Sequence, residues 1–473
     1  MAHASHVQDI LDTYVARTPR SRALHEEAKK YLPGGDTRTI NHHTPYPIFM
    51  EYGRGARLTD ADGNEYIDFV NNMSAIVHGH AHPALVAAAQ RQVLDGTALG
   101  APVPVQIRHA EHLTSRIPAL EQVRYCNSGT EATMMAIRTA RAFTGRDTIV
   151  KITNGYHGMH NDVQVSMITA LPGEWYPQDG LPDSFPSAHI PRGVPRSVQN
   201  DVLLLPFNDV AAAEELFERH GGRIAGIIVE PMMGAAGCIP ASPEYLHALR
   251  RLTSEHGSLL IFDECATFRL GLLQLHYGIA PDLMSLSKVI GGGLPLGAFG
   301  GRADVMSLYD PTRPGSVFHA QAFAGNNLCL TVGLAALETF GPDEIERLNL
   351  MGEHLKKQLA EAASAAGVKV EMTGFGSIGH LHWGEGPIHN PHDAQTRAAD
   401  TGALAELVHL SLLNRGIYTS RRGVFTLSLP MTDGDLQHFA TALREVLNEL
   451  KPYIRDTLPH LIREGVAASR EKA

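Results

Sequence analysis

Cysteine is scarce. Only Cys126, Cys238, Cys265 and Cys329 occur, far apart and mostly in apolar surroundings. With no C-x-x-C pair, the usual spacing of a zinc site is missing, so no metal site is expected. The four read as reduced core residues of a cytoplasmic protein. Long apolar runs are also missing: no stretch nears the roughly 20 residues that span a bilayer, which excludes a membrane-spanning helix. The opening Met-Ala-His-Ala-Ser-His-Val-Gln-Asp-Ile lacks a basic region before an apolar run, so no signal peptide is expected. There is no basic stripe, and the net charge of −10 argues against nucleic acid as a partner. Repeats and low-complexity tracts are absent. What is there is an ordinary globular composition, 44% hydrophobic and 19% charged over 473 residues. It has core enough for about two or three domains.

Residues 7–31 read as a charged amphipathic helix ended by Pro33-Gly34-Gly35. Residues 48–69 alternate like strands about Asp60-Ala-Asp-Gly63 and predict an antiparallel hairpin. From about residue 83, short apolar strands alternate with helices. The strands are 123–126, 148–152, 202–205, 224–229, 259–262 and 283–287; helices fall at 130–143, 210–219 and 244–256. This grammar predicts an α/β fold with a mostly parallel central sheet covered on both faces. Beyond about 330, helices at 326–340 and 343–365 lead into a strand–helix–strand–helix pattern to about 451. The expected division is an N-terminal segment (1–82) packing with a small α+β domain (336–473), and a large domain between (83–335). The stretch 170–200, rich in Pro and Gly, reads as an extended loop.

Ligands of open parallel sheets bind beyond the carboxyl ends of the strands, so the residues that follow each strand matter most. After 123–126 comes Asn127-Ser-Gly-Thr-Glu-Ala132. Ser128 and Glu131 have capping-box spacing, and a capped helix is the commoner meaning of such a motif. The same helix start, with Ser128, Gly129 and Thr130, also suits a phosphate. After 148–152 comes Asn154-Gly-Tyr-His-Gly158, where Tyr156 is either an ordinary loop aromatic or a plate for a flat ring. Glu230 follows 224–229, and Asp263-Glu264 follow 259–262. After 283–287 comes Lys288, then three glycines. A lysine here is a surface residue at a strand end unless its amine has a chemical task. Taken together, the groups are a phosphate cradle, a flat aromatic, a carboxylate and a lysine on one sheet edge. Pyridoxal 5′-phosphate needs each: donors for its phosphate, an acid partner for its pyridine nitrogen, and an amine for its aldehyde.

In these segments the chain resembles the class III pyridoxal-phosphate aminotransferases of fold type I. They are Asn127-Ser-Gly-Thr-Glu-Ala132, Gly155-Tyr-His-Gly158, Val229-Glu-Pro231, Leu260-Ile-Phe-Asp-Glu264 and Leu286-Ser-Lys-Val-Ile-Gly-Gly-Gly293. Within the class it is similar to the branch of β-amino-acid aminotransferases and glutamate-1-semialdehyde aminomutases. The resemblance implies that Lys288 carries the cofactor as a Schiff base and moves the proton. Asp263 would pair with the pyridine nitrogen; Ser128, Gly129 and Thr130 would hold the phosphate; Tyr156 would stack on the ring. Glu230 would sit near the phenolic side. It also implies a homodimer with active sites at the interface.

Two stretches depart from the family pattern. Ala322, in His319-Ala-Gln-Ala-Phe-Ala-Gly-Asn-Asn327, stands where a Thr from the partner subunit usually reaches the phosphate; Ser316, His319 or Gln321 are the available substitutes. The stretch Cys265-Ala-Thr-Phe-Arg269 is shorter than usual. Other motifs carry less. Ser285-Leu-Ser-Lys288 matches S-x-x-K but lacks its companions, His78-Gly-His-Ala-His82 has no convergent further metal ligand, and Gly291–Gly297 has the wrong spacing for a dinucleotide loop. Arg38 and Arg422 are candidates for a substrate carboxylate, which arginine binds bidentately. An Arg near the second position is a feature of the β-amino-acid aminotransferases, so an amino donor of that class with a keto acid acceptor is expected. Intramolecular transfer by an aminomutase is the alternative. A structural or regulatory protein of the same fold would need no Schiff-base lysine.

Overall fold

The computed structural model describes residues 2–167 and 190–463. Most of the loop expected at 170–200 lies outside the described residues; its described end includes a 3-10 turn, Arg196–Asn200. The chain forms two compact units. One comprises the chain through His82, Arg347–Ile388 and the chain from His392, and the other comprises Pro83–Glu346 with His389–Pro391.

The first unit opens with two helices, Ala2–Arg17 and Pro19–Ala28, where one was expected. A proline disfavours helical backbone in the residue before it, and Thr18 sits at φ −125°, ψ 45°. The expected hairpin is a three-stranded antiparallel meander: β1 (Met50–Arg54), β2 (Arg57–Asp60) and β3 (Glu65–Asp68). Asp60 holds the second turn by accepting from Asp62 N–H (2.9 Å) and Asn64 N–H (2.8 Å). Asn71, Asn72, Met73 and Ser74 follow, all at positive φ (47°, 47°, 55° and 70°). Left-handed backbone costs a non-glycine residue roughly 1–2 kcal/mol. Buried bonds offset it: Asn71 Nδ2 donates to Asp68 O and Thr426 O, each at 2.9 Å.

In the second unit the chain lays down β4 (Gln122–Cys126), β5 (Thr148–Ile152), β6 (Val202–Leu205), β7 (Ile224–Val229), the short pair β8 (Met232–Met233) and β9 (Ile239–Pro240), β10 (Leu259–Asp263), β11 (Leu283–Ser287) and β12 (Gly297–Gly301). Seven of them form one sheet in the order β4-β12-β11-β10-β7-β5-β6, with only β12 antiparallel to its neighbours. This is the α/β arrangement of fold type I. β12 was not expected, because Gly-Ala-Phe-Gly-Gly has little strand propensity. Its glycines are required by close approach: a Cβ at Gly297 would stand 2.2 Å from Ser128 O, and one at Gly300 2.2 Å from Gln122 O. The helix Gly129–Thr144 packs Met135, Ala136, Ile137 and Ala140 on the sheet beside Ile149, Ile228, Ile261 and Phe299. Each fully buried Ile or Phe contributes about 1.5–3 kcal/mol.

Back in the first unit, β13 (Val370–Phe375) and β14 (Ile378–Trp383) pair antiparallel. β15 (Ile417–Tyr418) joins β3 in parallel, and β16 (Val424–Thr426) pairs with β14. His43 and His409 are both buried here, ring to ring at 5.1 Å. Burial pushes the His43 imidazole down to about 4, helped by the charges of Arg421 and His42 against the Thr44 carbonyl and Glu406. It pushes His409 well below its ordinary value. The folded protein therefore resists a proton that the unfolded chain accepts near pH 6.5. Stability is full above that pH and is lost as pH falls from 6.5 towards 4. His43 alone should account for about 3 kcal/mol of that loss, at about 1.4 kcal/mol per pH unit. Urea melts between pH 7.5 and 4.5 should show a smaller loss for His43→Leu than for the natural chain; equal losses would refute the assignment.

Candidate active site

All the groups expected at strand ends in the second unit lie at one edge of its sheet. Ser128 is the N-cap of Gly129–Thr144, its Oγ accepting from Glu131 N–H at 3.2 Å. Glu131 accepts from Asn127 N–H, one residue before the cap, at 2.6 Å, so Ser128 caps the helix without the reciprocal bond of a capping box. The cap leaves the first-turn N–H groups of Gly129 and Thr130 without helical partners. A Cβ on Gly129 would lie 3.1 Å from Cys265 Sγ and 3.4 Å from Ser287 Cβ, so this helix start abuts the ends of β10 and β11. Gly158, at φ +99°, would meet Thr130 Oγ1 at 2.5 Å with any Cβ, which brings the Tyr156 loop to the same place.

Asp263 ends β10, opposite Ser285 of the parallel β11. Its Oδ1 accepts from Ser285 Oγ–H (2.9 Å) and Cys265 N–H (3.1 Å), and its Oδ2 lies 2.8 Å from His157 Nδ1. Burial pushes this carboxyl up, but the hydrogen bond and charge of His157, with the bonds from Cys265, hold it below the ordinary carboxylate range. Asp263 is thus kept as an anion out of water. His157 was quoted in the Gly155-Tyr-His-Gly158 segment but not singled out as a site residue, because nothing in the local pattern says which strand end it faces. Its Nε2 is buried without a hydrogen-bond partner.

Glu230 fastens the neighbouring loops. Its Oε1 accepts from Tyr156 N–H (3.2 Å) and its Oε2 from Gly234 N–H (3.0 Å). Burial raises its carboxyl. Tyr156 is 42% exposed. Burial, then the charges of Asp263, Cys265 and Glu230, push its phenol up. A further charge lies beneath: Lys151 is completely buried in β5, with Nζ donating to Ile152 O at 3.0 Å and Ser166 O at 3.5 Å. Burial pushes its amine down to about 7, against the pull of Glu230.

Lys288 follows β11, half-buried, at φ +58°. A non-glycine residue in the left-handed region is held there by its surroundings. Gly292 and Gly293, at φ 60° and 91°, complete the turn, and a Cβ at Gly292 would crowd Val332 O at 3.0 Å. Arg38 and Arg422 belong to the other unit. Arg38 Nη1 donates to Asn72 Oδ1 at 2.8 Å, and the Arg422 carbonyl is bonded to His380 Nε2. Of the substitutes for the missing Thr, Gln321 Oε1 accepts from Asn127 Nδ2 at 3.4 Å, and His319 packs edge-on against Phe299 at 5.4 Å. In the shortened stretch, Thr267–Leu270 is a 3-10 turn that buries Arg269 completely.

This donor set suits a flat ring that bears a phosphate and a protonated nitrogen. It combines a helix start with unpaired N–H groups, a buried anion held ionised, a half-open aromatic, an orphaned buried imidazole nitrogen, and a lysine on a strained turn. Comparison with known proteins agrees. Residues 39–443 match the family model of aminotransferase class-III. The chain is 38% identical over 94% of its length to a beta-phenylalanine transaminase of Variovorax paradoxus, covering 96% of that protein. It is 39% identical over 91% of its length to a glutamate-1-semialdehyde 2,1-aminomutase of Sorangium cellulosum, covering 97% of that one. A solved transaminase with PLP bound, 34% identical, superposes with a TM-score of 0.83 over 93% of this chain and 99% of that one. The chain belongs to the class III aminotransferases. It is a transaminase that uses pyridoxal 5′-phosphate.

The hydrogen bond from His157 has a measurable consequence. Its loss should leave the buried Asp263 anion short of a charge-assisted donor and weaken cofactor binding by about 10- to 100-fold. Titration of the apoprotein with pyridoxal phosphate, followed by absorbance, should show this for His157→Leu and a smaller loss for His157→Asn. Unchanged binding in His157→Leu would mean that Ser285 and Cys265 suffice.

Proposed function

We propose that the chain moves an amino group between a β-amino acid and a keto acid. The observation that supports this reading is the presence of two arginines, Arg38 and Arg422, as candidates for a substrate carboxylate. A β-amino acid and an α-amino acid or keto acid set their carboxylates at different distances from the amine. Two cations serve both, each by a bidentate contact. Likeness to a beta-phenylalanine transaminase supports the choice.

Ser128, Gly129 and Thr130 would hold the cofactor's phosphate, Tyr156 would cover its ring and Glu230 would keep the Tyr156 loop in place. Asp263, held ionised, would keep the pyridine nitrogen protonated. The cofactor, when bound, supplies an electron sink for the carbon that loses its proton. Lys288 Nζ would anchor the cofactor and, once released, carry the proton between the two carbons of the exchange. Intramolecular transfer, as in the aminomutases, is a second reading, favoured by the relative of that name. The four free cysteines fit a cytoplasmic setting.

Mixing the purified protein with single amines and following its absorbance tests this. β-Amino acids should convert the cofactor rapidly, and selective reaction with glutamate-1-semialdehyde would decide for the aminomutase. Borohydride should fix the cofactor on Lys288 and on no other lysine. Arg422→Met should lower kcat/KM for carboxylate-bearing amines by roughly 30- to 1,000-fold and spare a neutral amine. An equal loss for both would make Arg422 structural.

We propose also that two copies associate. Leu94, Leu99, Ile107 and Phe323 are exposed by 87%, 59%, 72% and 63%. The segments that carry them touch: Thr97 O accepts from Leu328 N–H, Gly96 O from Asn327 Nδ2, and a Cβ on Gly325 would lie 3.9 Å from Gln106 Oε1. An apolar patch of this kind marks an interface. Sedimentation should find a dimer, and Ile107→Glu with Phe323→Glu should give an inactive monomer; a fully active monomer would end the proposal.

A further inference from the structure

Backbone strain in non-glycine residues persists only where the surroundings impose it, and it gathers at functional sites. The left-handed run Asn71–Ser74 is the longest such segment among the described residues. Its first residue is spent on anchoring. Asp68 Oδ1 accepts from Val70 N–H (2.9 Å) and Asn71 N–H (2.8 Å). Asn71 Nδ2 reaches Thr426 Oγ1 at 3.2 Å as well as two carbonyls, and both residues are buried. Thr426 ends β16, the strand that begins just after Arg422. The second residue is spent differently. Asn72 is exposed, and its Oδ1 meets Arg38 Nη1 at 2.8 Å. The Tyr418 phenol is close enough to feel Arg38, whose charge lowers it while burial and Asp68 push it up to about 12.

We propose that Asn72 is a positioning residue for substrate specificity. It orients the Arg38 guanidinium so that the remaining N–H donors meet a substrate carboxylate in one geometry. The inference rests on the reading of Arg38 as a carboxylate clamp. The chemistry of the contact favours an amide. A guanidinium has five N–H donors and no acceptor, so one bond to Asn72 leaves most of its fork unused. An amide oxygen orients the cation without neutralising it. A carboxylate at the same place would form an ion pair and compete with the substrate. The left-handed path delivers Asn72 there while Asn71, one residue earlier, points into the unit. Asparagine is among the few residues that tolerate such backbone.

The test is the affinity of the full-length holoprotein for 3-phenylpropanoate, a carboxylate with no amine to react, measured by calorimetry alongside Tm. Its amide serves as a neutral control. Arg38→Met and Asn72→Asp should each weaken binding about 10-fold or more. Asn72→Gly should weaken it less and leave Tm unchanged or higher, because glycine relieves the backbone. A merely structural Asn72 would lower Tm instead. In the Arg38→Met background, Asn72→Asp should have no further effect. If Arg38→Met weakens binding while the Asn72 variants do not, or if the losses add, the inference about Asn72 is wrong and the clamp stands. If none of the three changes affinity, the clamp itself is wrong and the inference falls with it.

Discussion

Asp263 exposes 4% of its surface. A carboxylate so placed is unfavourable by several kcal/mol unless donors replace its water, and otherwise it takes up a proton. Here three donors replace the water: an imidazole from the Tyr156 loop, a hydroxyl from the next strand and the backbone two residues on. Two of the donors tie separate elements to the end of β10. His157 brings the loop after β5, Ser285 brings β11 and, three residues later, Lys288. The anion thus binds together the segments that carry the aromatic and the lysine.

Around that anion the second unit accepts close approach and strain. Glycine at 129, 158 and 297 lets the phosphate-suited helix start, the aromatic loop and the antiparallel strand come together within distances that any Cβ would fill. Lys288 stands at positive φ where β11, paired with β10 and β12, ends. Lys151 and Glu230 are both buried beside the loop, where burial pushes the amine down to about 7 and the carboxyl up. The lysine satisfies the carbonyls of Ile152 and Ser166, and the carboxylate satisfies the amides of Tyr156 and Gly234. Such groups are tolerable in a low dielectric only when each finds its partner.

The other unit follows a different economy. Its two arginines sit on loops held by backbone hydrogen bonds, by buried Asp68 and by a left-handed turn. Asp68 is central there much as Asp263 is in the large sheet: it receives two amides, and His80 Nε2 lies 2.7 Å from its other oxygen. Each unit thus buries a carboxylate and satisfies it with donors from neighbouring segments.

The sequence alone determined what depends on local pattern. Apolar strands between helices identified six of the seven strands of the large sheet, since hydrophobic periodicity and length are local properties. The rule that ligands gather at strand ends then picked out Ser128, Gly129, Thr130, Tyr156, Glu230, Asp263 and Lys288. Tertiary structure decided the rest. β12 is a strand because its neighbours need glycines, not because its residues favour extension. The helix expected at 7–31 breaks at Thr18, and the hairpin gains a third strand. His157 donates to a carboxylate 106 residues away, Lys151 within β5 is completely buried on the carbonyls of Ile152 and Ser166, and Asn72 meets Arg38 across 34 residues. A hydrogen-bond partner distant in sequence leaves no periodic trace in it, and a backbone forced to positive φ is imposed by the bonds around it.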